Sequence, residues 1–222
     1  MRTLTVLYTL FLLASAAQAQ KKIIVVGMNP AGIQELQAVS AGATIVPATS
    51  SDLAAKMADA DAIIGPPNAE TFGRAPNLKW VQTGSAGVER YAPALRDRPV
   101  TLTNCKIVQG PNIADHAMAL LLTMTREMPR ALAFKAKEEW GRGDFRMMEL
   151  SGKTAVIIGV GGIGMQIAQR AHGFGMNVIG VDPKDISYTF MIKKVVTPDR
   201  LDTVLPEADV VFVSAPLTDQ SR

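Results

Sequence analysis

Short apolar runs alternate with segments of helical spacing along the first half of the chain. Residues 22–28 form a β-branched run that closes on Gly27-Met28-Asn29-Pro30, which predicts a strand followed by a helix starting near Pro30. Further strands are predicted at 43–47, at 62–65 (stopped by Pro66-Pro67), at 78–82 and at 100–103, with a helix over 51–58 opened by Ser50-Ser51-Asp52. A long helix is expected from Asn112, which suits an N-cap, with Asp115 in its first turn. Ile113, Ala117, Leu120, Leu121, Met124 and Met128 would share one face of it. Residues 117–124 are apolar almost throughout, so burial on most sides is expected. Pro129 fits the first turn of a following helix that runs towards Trp140, and 141–144 read as a loop.

The second half repeats the rhythm. A strand at 154–158 meets a glycine-rich turn, and Ile163, Ile167, Ala171 and Phe174 then recur at helical spacing until Gly173 and Gly175 end the helix. A strand at 177–181, a short helix over 198–205 and a strand at 210–214 follow. This alternation predicts an α/β fold of doubly wound parallel sheets, in which ligands bind at the carboxyl ends of the strands.

Composition narrows the classes. The 222 residues are 48% hydrophobic and 19% charged, which excludes disordered and collagen-like chains. A net charge of +3, from 23 basic and 20 acidic residues spread without a block, leaves no electrostatic footprint for nucleic acid. Cys105 is the only thiol, so no internal disulfide can form. Residues 1–19 read as a secretory signal: Arg2, an apolar run from Leu4 to Ala16, and Ala17-Gln18-Ala19 as a cleavage site. That run is shorter than the roughly 20 residues of a spanning helix. The mature chain is therefore expected to be exported and free of the membrane.

The chemistry concentrates at Gly159-Val160-Gly161-Gly162-Ile163-Gly164. A bare G-x-G-x-x-G is weak evidence, but here a strand precedes it, a helix follows, and the next strand ends in Asp182, 18 positions beyond Gly164. Gly159 would allow the tight turn, Gly161 the approach of a pyrophosphate, and Gly164 close helix–strand packing. The pyrophosphate would sit on the free N–H groups of the helix start. Asp182 would accept from the ribose hydroxyls and repel a 2′-phosphate, favouring NAD over NADP, although Lys184 stands close by in sequence. Ala215-Pro216-Leu217-Thr218 closes the 210–214 strand and could line the same site. In the first half, Gly84-Ser85-Ala86-Gly87 ends a strand and could present N–H groups to an anion. On those four residues alone a plain turn is the simpler reading.

Together these segments resemble the D-isomer-specific 2-hydroxyacid dehydrogenases, the group of phosphoglycerate, glyoxylate/hydroxypyruvate and D-lactate dehydrogenases. The resemblance spans nearly all of residues 22–222. It rests on Leu78-Lys79-Trp80-Val81 with Gly84-Ser85-Ala86-Gly87-Val88-Glu89, on Asn112-Ile113-Ala114-Asp115-His116-Ala117, on Trp140 and the glycine turn, and on Phe174-Gly175-Met176 and Ala208-Asp209-Val210-Val211 through Pro216-Leu217-Thr218. It implies a flavodoxin-like substrate domain over 20–104, then linking helices and an incomplete Rossmann NAD-binding domain over 105–222. Ser85, Ala86 and Gly87 would hold the carboxylate of a small 2-oxo or 2-hydroxy acid. Gly162 and Ile163 would touch the pyrophosphate of NAD, Asp182 its ribose, and Ala215 and Pro216 the adenosine side. A homodimer through the cofactor domain is implied as well.

Two departures accompany the resemblance. Asp115 stands where the family usually has Glu, and Arg222 lies upstream of the family's catalytic Arg, acidic residue and His. His116, His172, Arg90 and Arg126 do not form a substitute set by spacing, so no catalytic residue and no metal site is assigned in this chain. Three readings stay open: a truncated NAD-dependent dehydrogenase, a non-catalytic exported protein that binds NAD or a carboxylate, and an inactive fragment.

Overall fold

A computed structural model describes residues 20–222 apart from positions 40, 142, 144, 220 and 222. The expected signal at 1–19, and two positions of the loop at 141–144, lie outside the described residues. The chain divides into two compact units, the first ending at Cys105 and the second beginning at Lys106.

The first unit is a five-stranded parallel sheet of β1 (Lys21–Val26), β2 (Ala43–Ala48), β3 (Ala62–Ile64), β4 (Trp80–Gln82) and β5 (Thr101–Thr103). Its order, β2-β1-β3-β4-β5, is the flavodoxin-like one. The β-branched runs build it because residues on both faces are buried: Ile24, Ile63 and Val81 are enclosed on one face among Phe72, Leu53 and Met57, and Val25 and Ala62 are buried on the other. Helix α1 (Pro30–Val39) buries only Ile33. The predicted 51–58 helix is one turn, α2 (Leu53–Lys56). Asp52 explains the shortening at its start, because its carboxylate accepts from Thr49 N–H at 2.7 Å and from the Thr49 hydroxyl at 3.1 Å, a local turn that competes with helix. A 3-10 turn (Glu70–Arg74) and the short helix α3 (Ala92–Leu95), neither of them expected, complete the unit. Arg98 fastens the 3-10 turn by donating to the carbonyls of Phe72 and Ala75, both at 2.6 Å.

The second unit contains α4 (Lys106–Thr125), α5 (Met128–Ala136), β6 (Thr154–Ile158), α6 (Gly162–Gly173), β7 (Asn177–Val181), β8 (Lys194–Val196), α7 (Leu201–Val204) and β9 (Val210–Val213). All its strand pairings are parallel. The order β8-β7-β6-β9 corresponds to 3-2-1-4 of a Rossmann sheet. Ala155, Val156 and Ile157 of β6 are fully buried, the mark of a central strand covered on both faces. The three-residue β8 was too short to stand out from its surroundings in sequence. The 198–205 helix is broken into a 3-10 turn (Pro198–Arg200), α7 and a second 3-10 turn (Leu205–Glu207).

Helix α4 corrects two expectations. It starts six residues before Asn112 and carries Pro111 inside it, which forfeits one i→i−4 bond. Packing offsets that loss: Gly110, Ala114, Met118, Leu121 and Thr125 form one buried stripe lying against α6. The stripe also differs from the expected face, sharing only Leu121 with it. Leu120 is 54% and Met124 76% exposed. A helix apolar on nearly all sides gives its periodicity no power to choose between faces.

Asp61 ties β1 to the turn before β4 in the first unit. Its carboxylate accepts from Lys22 N–H and Lys21 Nζ, both at 3.0 Å, while its own carbonyl accepts from Lys79 N–H at 2.8 Å. The Lys22 N–H, then the Lys21 ammonium, hold its pKa below the usual carboxylate value. Because the folded pKa is the lower one, this contribution is complete above the ordinary carboxylate range and is lost as pH falls through the lowered value. Asp61→Asn is expected to lower the chemical-denaturation midpoint at pH 7. The gap to wild type should close once the pH falls well below the carboxylate range; a pH-independent gap would contradict this.

Candidate functional site

The turn between β6 and α6 is held from the ends of the two neighbouring strands, β7 and β9. Gly159 adopts φ +90° and donates its N–H to Val181 O of β7 at 2.7 Å. A Cβ at Gly159 would stand 2.6 Å from Ala215 N and 2.7 Å from Ala215 Cα, so glycine is required by both conformation and space. Val160 buries its side chain and donates its N–H to Asp182 Oδ2 at 2.8 Å. At Gly164 a Cβ would overlap the Gly159 carbonyl oxygen, so the close packing assigned to this glycine is present.

Gly161 is the N-cap of α6, in extended conformation and with no side-chain cap. Its carbonyl accepts the first helical bond, from Met165 N–H at 2.9 Å. The N–H groups of Gly161, Gly162, Ile163 and Gly164 therefore have no partner among the described residues. Space beside Gly161 is open, with no atom within 4 Å of where a Cβ would sit. The aligned peptides of α6 place partial positive charge at this end. An anion is the complementary ligand.

Asp182 follows β7 directly. Besides Val160 N–H on Oδ2, it accepts Lys184 N–H on Oδ1 at 2.9 Å. A carboxylate offers about four lone-pair positions, so each oxygen keeps capacity for a further donor. At the end of β9, Ser214 donates its N–H to Ile158 O at 2.8 Å and its hydroxyl to Gly159 O at 2.6 Å. Ala215 is half-buried against Gly159, while Pro216 is exposed and its carbonyl accepts from Ser221 Oγ. The structure thus brings Gly159–Gly164, Asp182 and Ala215 together at the carboxyl ends of β6, β7 and β9. Sequence reasoning passed over Ser214, whose one signal was a hydroxyl closing an apolar run.

In the first unit, Ser85, Ala86 and Gly87 follow β4. The loop is fixed through its carbonyls: Cys105 N–H donates to Ser85 O at 3.1 Å, Asn104 Nδ2 to Ala86 O at 2.7 Å and Ser85 Oγ to Gly87 O at 2.6 Å. Ser85 N–H is taken by Thr83 Oγ1 at 3.2 Å, but no bond among the described residues uses the N–H of Ala86 or Gly87. Two of the three expected donors are therefore available, and the Glu89 carboxylate lies against Gly87. Neither histidine is at a strand's carboxyl end. His116 is exposed on α4, and His172 lies eight residues past Gly164, about 12 Å along α6, with its ring against Phe190. Arg90 sits over the Tyr91 ring and Arg126 is exposed. Among the described residues no group of three His, Cys, Asp or Glu side chains could hold a metal ion, and no helix is long and apolar enough to cross a membrane.

Residues 118–222 match the family model described as D-isomer specific 2-hydroxyacid dehydrogenase, NAD binding domain. The chain is 30% identical over 182 residues to a D-3-phosphoglycerate dehydrogenase of Methanocaldococcus jannaschii, across 78% of this chain and 34% of the relative. It is 30% identical over 147 residues to a hydroxypyruvate reductase of Thermotoga maritima, across 66% of this chain and 47% of that protein. Among solved structures, a D-isomer specific 2-hydroxyacid dehydrogenase family protein from Aeromonas salmonicida superposes with a TM-score of 0.77 at 26% identity, over 91% of this chain and 66% of that one. The chain thus spans about a third to a half of these curated relatives. The turn, its acid and the matches agree: this chain belongs to the D-isomer specific 2-hydroxyacid dehydrogenase family, with residues 118–222 as its NAD-binding domain.

Proposed function

We propose that the protein acts in NAD-dependent oxidation or reduction at the CH–OH carbon of a small D-2-hydroxy or 2-oxo acid. One observation carries this reading: four unpartnered N–H groups at the start of α6, with Asp182 at the end of the neighbouring strand. The N–H groups of Gly161, Gly162 and Ile163 hold the pyrophosphate, and Asp182 uses its spare lone pairs for the ribose hydroxyls. Ala215 and Pro216 border the adenosine side. Bound NAD supplies or accepts the hydride. The N–H groups of Ala86 and Gly87 orient the acid by its carboxylate, and the Ser85 hydroxyl holds the Gly87 carbonyl in place.

A second reading concerns what the chain does alone. Hydride transfer to a 2-oxo acid needs a proton donor and a cation at the carbonyl. Neither His116 nor His172 occupies a strand end, and Arg90 lies over a ring. The 222-residue chain is therefore expected to bind NAD without reducing glyoxylate or hydroxypyruvate. The exposed Leu120 and Met124 of α4, with Met128 and Leu132 of α5, form the apolar surface that a second copy would cover in a homodimer.

Titration calorimetry is expected to show NAD binding at micromolar affinity or weaker. Asp182→Ala should weaken NAD by a larger factor than NADP, since the ribose contact is lost while repulsion of a 2′-phosphate is relieved. No heat with wild type, or equal losses for the two cofactors, would contradict the assignment. Sedimentation should show a dimer that Met124→Glu converts to monomer; a wild-type monomer would sink the interface.

A further inference from the structure

We propose that Ser214 is a positioning residue for the dinucleotide-binding turn, acting through the Gly159–Val160 peptide plane; this rests on the NAD reading above. The Gly159 carbonyl is enclosed. A Cβ at Gly164 would overlap its oxygen and stand 2.9 Å from Ser214 Oγ, so the helix start and the end of β9 close on it together. Ser214 Oγ donates to it at 2.6 Å, and no other donor to it is found among the described residues. The first helical amide to find a carbonyl, Met165 N–H, reaches Gly161 rather than Gly159.

The same peptide unit is gripped at its other end. In a trans peptide the carbonyl of one residue and the N–H of the next point in opposite directions from one plane. Ser214 donates to the Gly159 oxygen, and Asp182 accepts from the Val160 N–H at 2.8 Å. A rotation of that plane breaks both contacts. Ser214 is a rigid donor, because its own N–H bonds to Ile158 O at 2.8 Å and the preceding residue, Val213, pairs with Ile158. The plane immediately precedes Gly161, the first of the free N–H groups. Its orientation therefore sets the direction in which those groups point before any ligand arrives, a preorganisation that raises affinity. Ser214 touches no part of the dinucleotide in this account; it acts through Gly159.

Three forms of the full chain test this: wild type, Ser214→Ala and Ser214→Thr, the last keeping the hydroxyl. Without ligand, Ser214→Ala should speed amide hydrogen exchange at Gly159, Val160 and Met165 while leaving the interior of β6 and β7 at wild-type rates. With NAD, calorimetry should show affinity reduced about tenfold and recovered in Ser214→Thr. Wild-type exchange rates at those amides in Ser214→Ala would overturn the proposal, as would loss of protection across the whole sheet, which marks general destabilisation. Unchanged NAD affinity in Ser214→Ala would overturn it as well. If wild type itself binds no NAD, the proposed function fails, and the exchange data on the free protein still decide whether Ser214 holds the turn.

Discussion

The close approach of the Gly159 carbonyl to Gly164 is the constraint on which the second unit is built. Any side chain at 164 would collide with that oxygen, and the helix could not begin where it does. Because α6 starts there, its first amides emerge at the carboxyl ends of β6, β7 and β9. Two of those strands secure the turn at three points: β7 through Val181 O and through Asp182 just beyond it, and β9 through Ser214 at its end. Helix α4 then packs its buried stripe against α6 and tolerates an internal proline in doing so. The site is made chiefly of backbone, and its precision comes from the core beneath it.

The first unit reaches a related result by different means. Its loop after β4 is anchored through carbonyls, by Asn104 and Cys105, so that two N–H groups remain unused. The strand below is held by a chain of side chains, in which Trp80 Nε1 donates to Thr103 Oγ1 at 2.7 Å and Thr103 Oγ1 to Gln82 Oε1 at 2.6 Å. Here too the polar atoms that matter belong to main chain. Side-chain chemistry serves to fix their direction.

This division explains what could be read from sequence. The strands of the first sheet and the central strands of the second were legible, because β-branched runs buried on both faces look alike in any such fold. The glycine turn and Asp182 were legible because sterics leave few residues for those positions. Helix α4 was misread in its start and its face, since Pro111 obeys a packing gain that no local preference records, and an all-apolar segment has no preferred side. Ser214 was invisible for another reason. Its role depends on β9 lying beside β6, a pairing between residues 55 positions apart.

Amide chemical shifts on addition of NAD to the isotope-labelled chain decide whether the free backbone N–H groups at the start of α6 are the pyrophosphate site. Gly161, Gly162 and Ile163 should move downfield together in a saturable manner, with Val160 following through Asp182. Saturable shifts elsewhere with these three amides unmoved would contradict it.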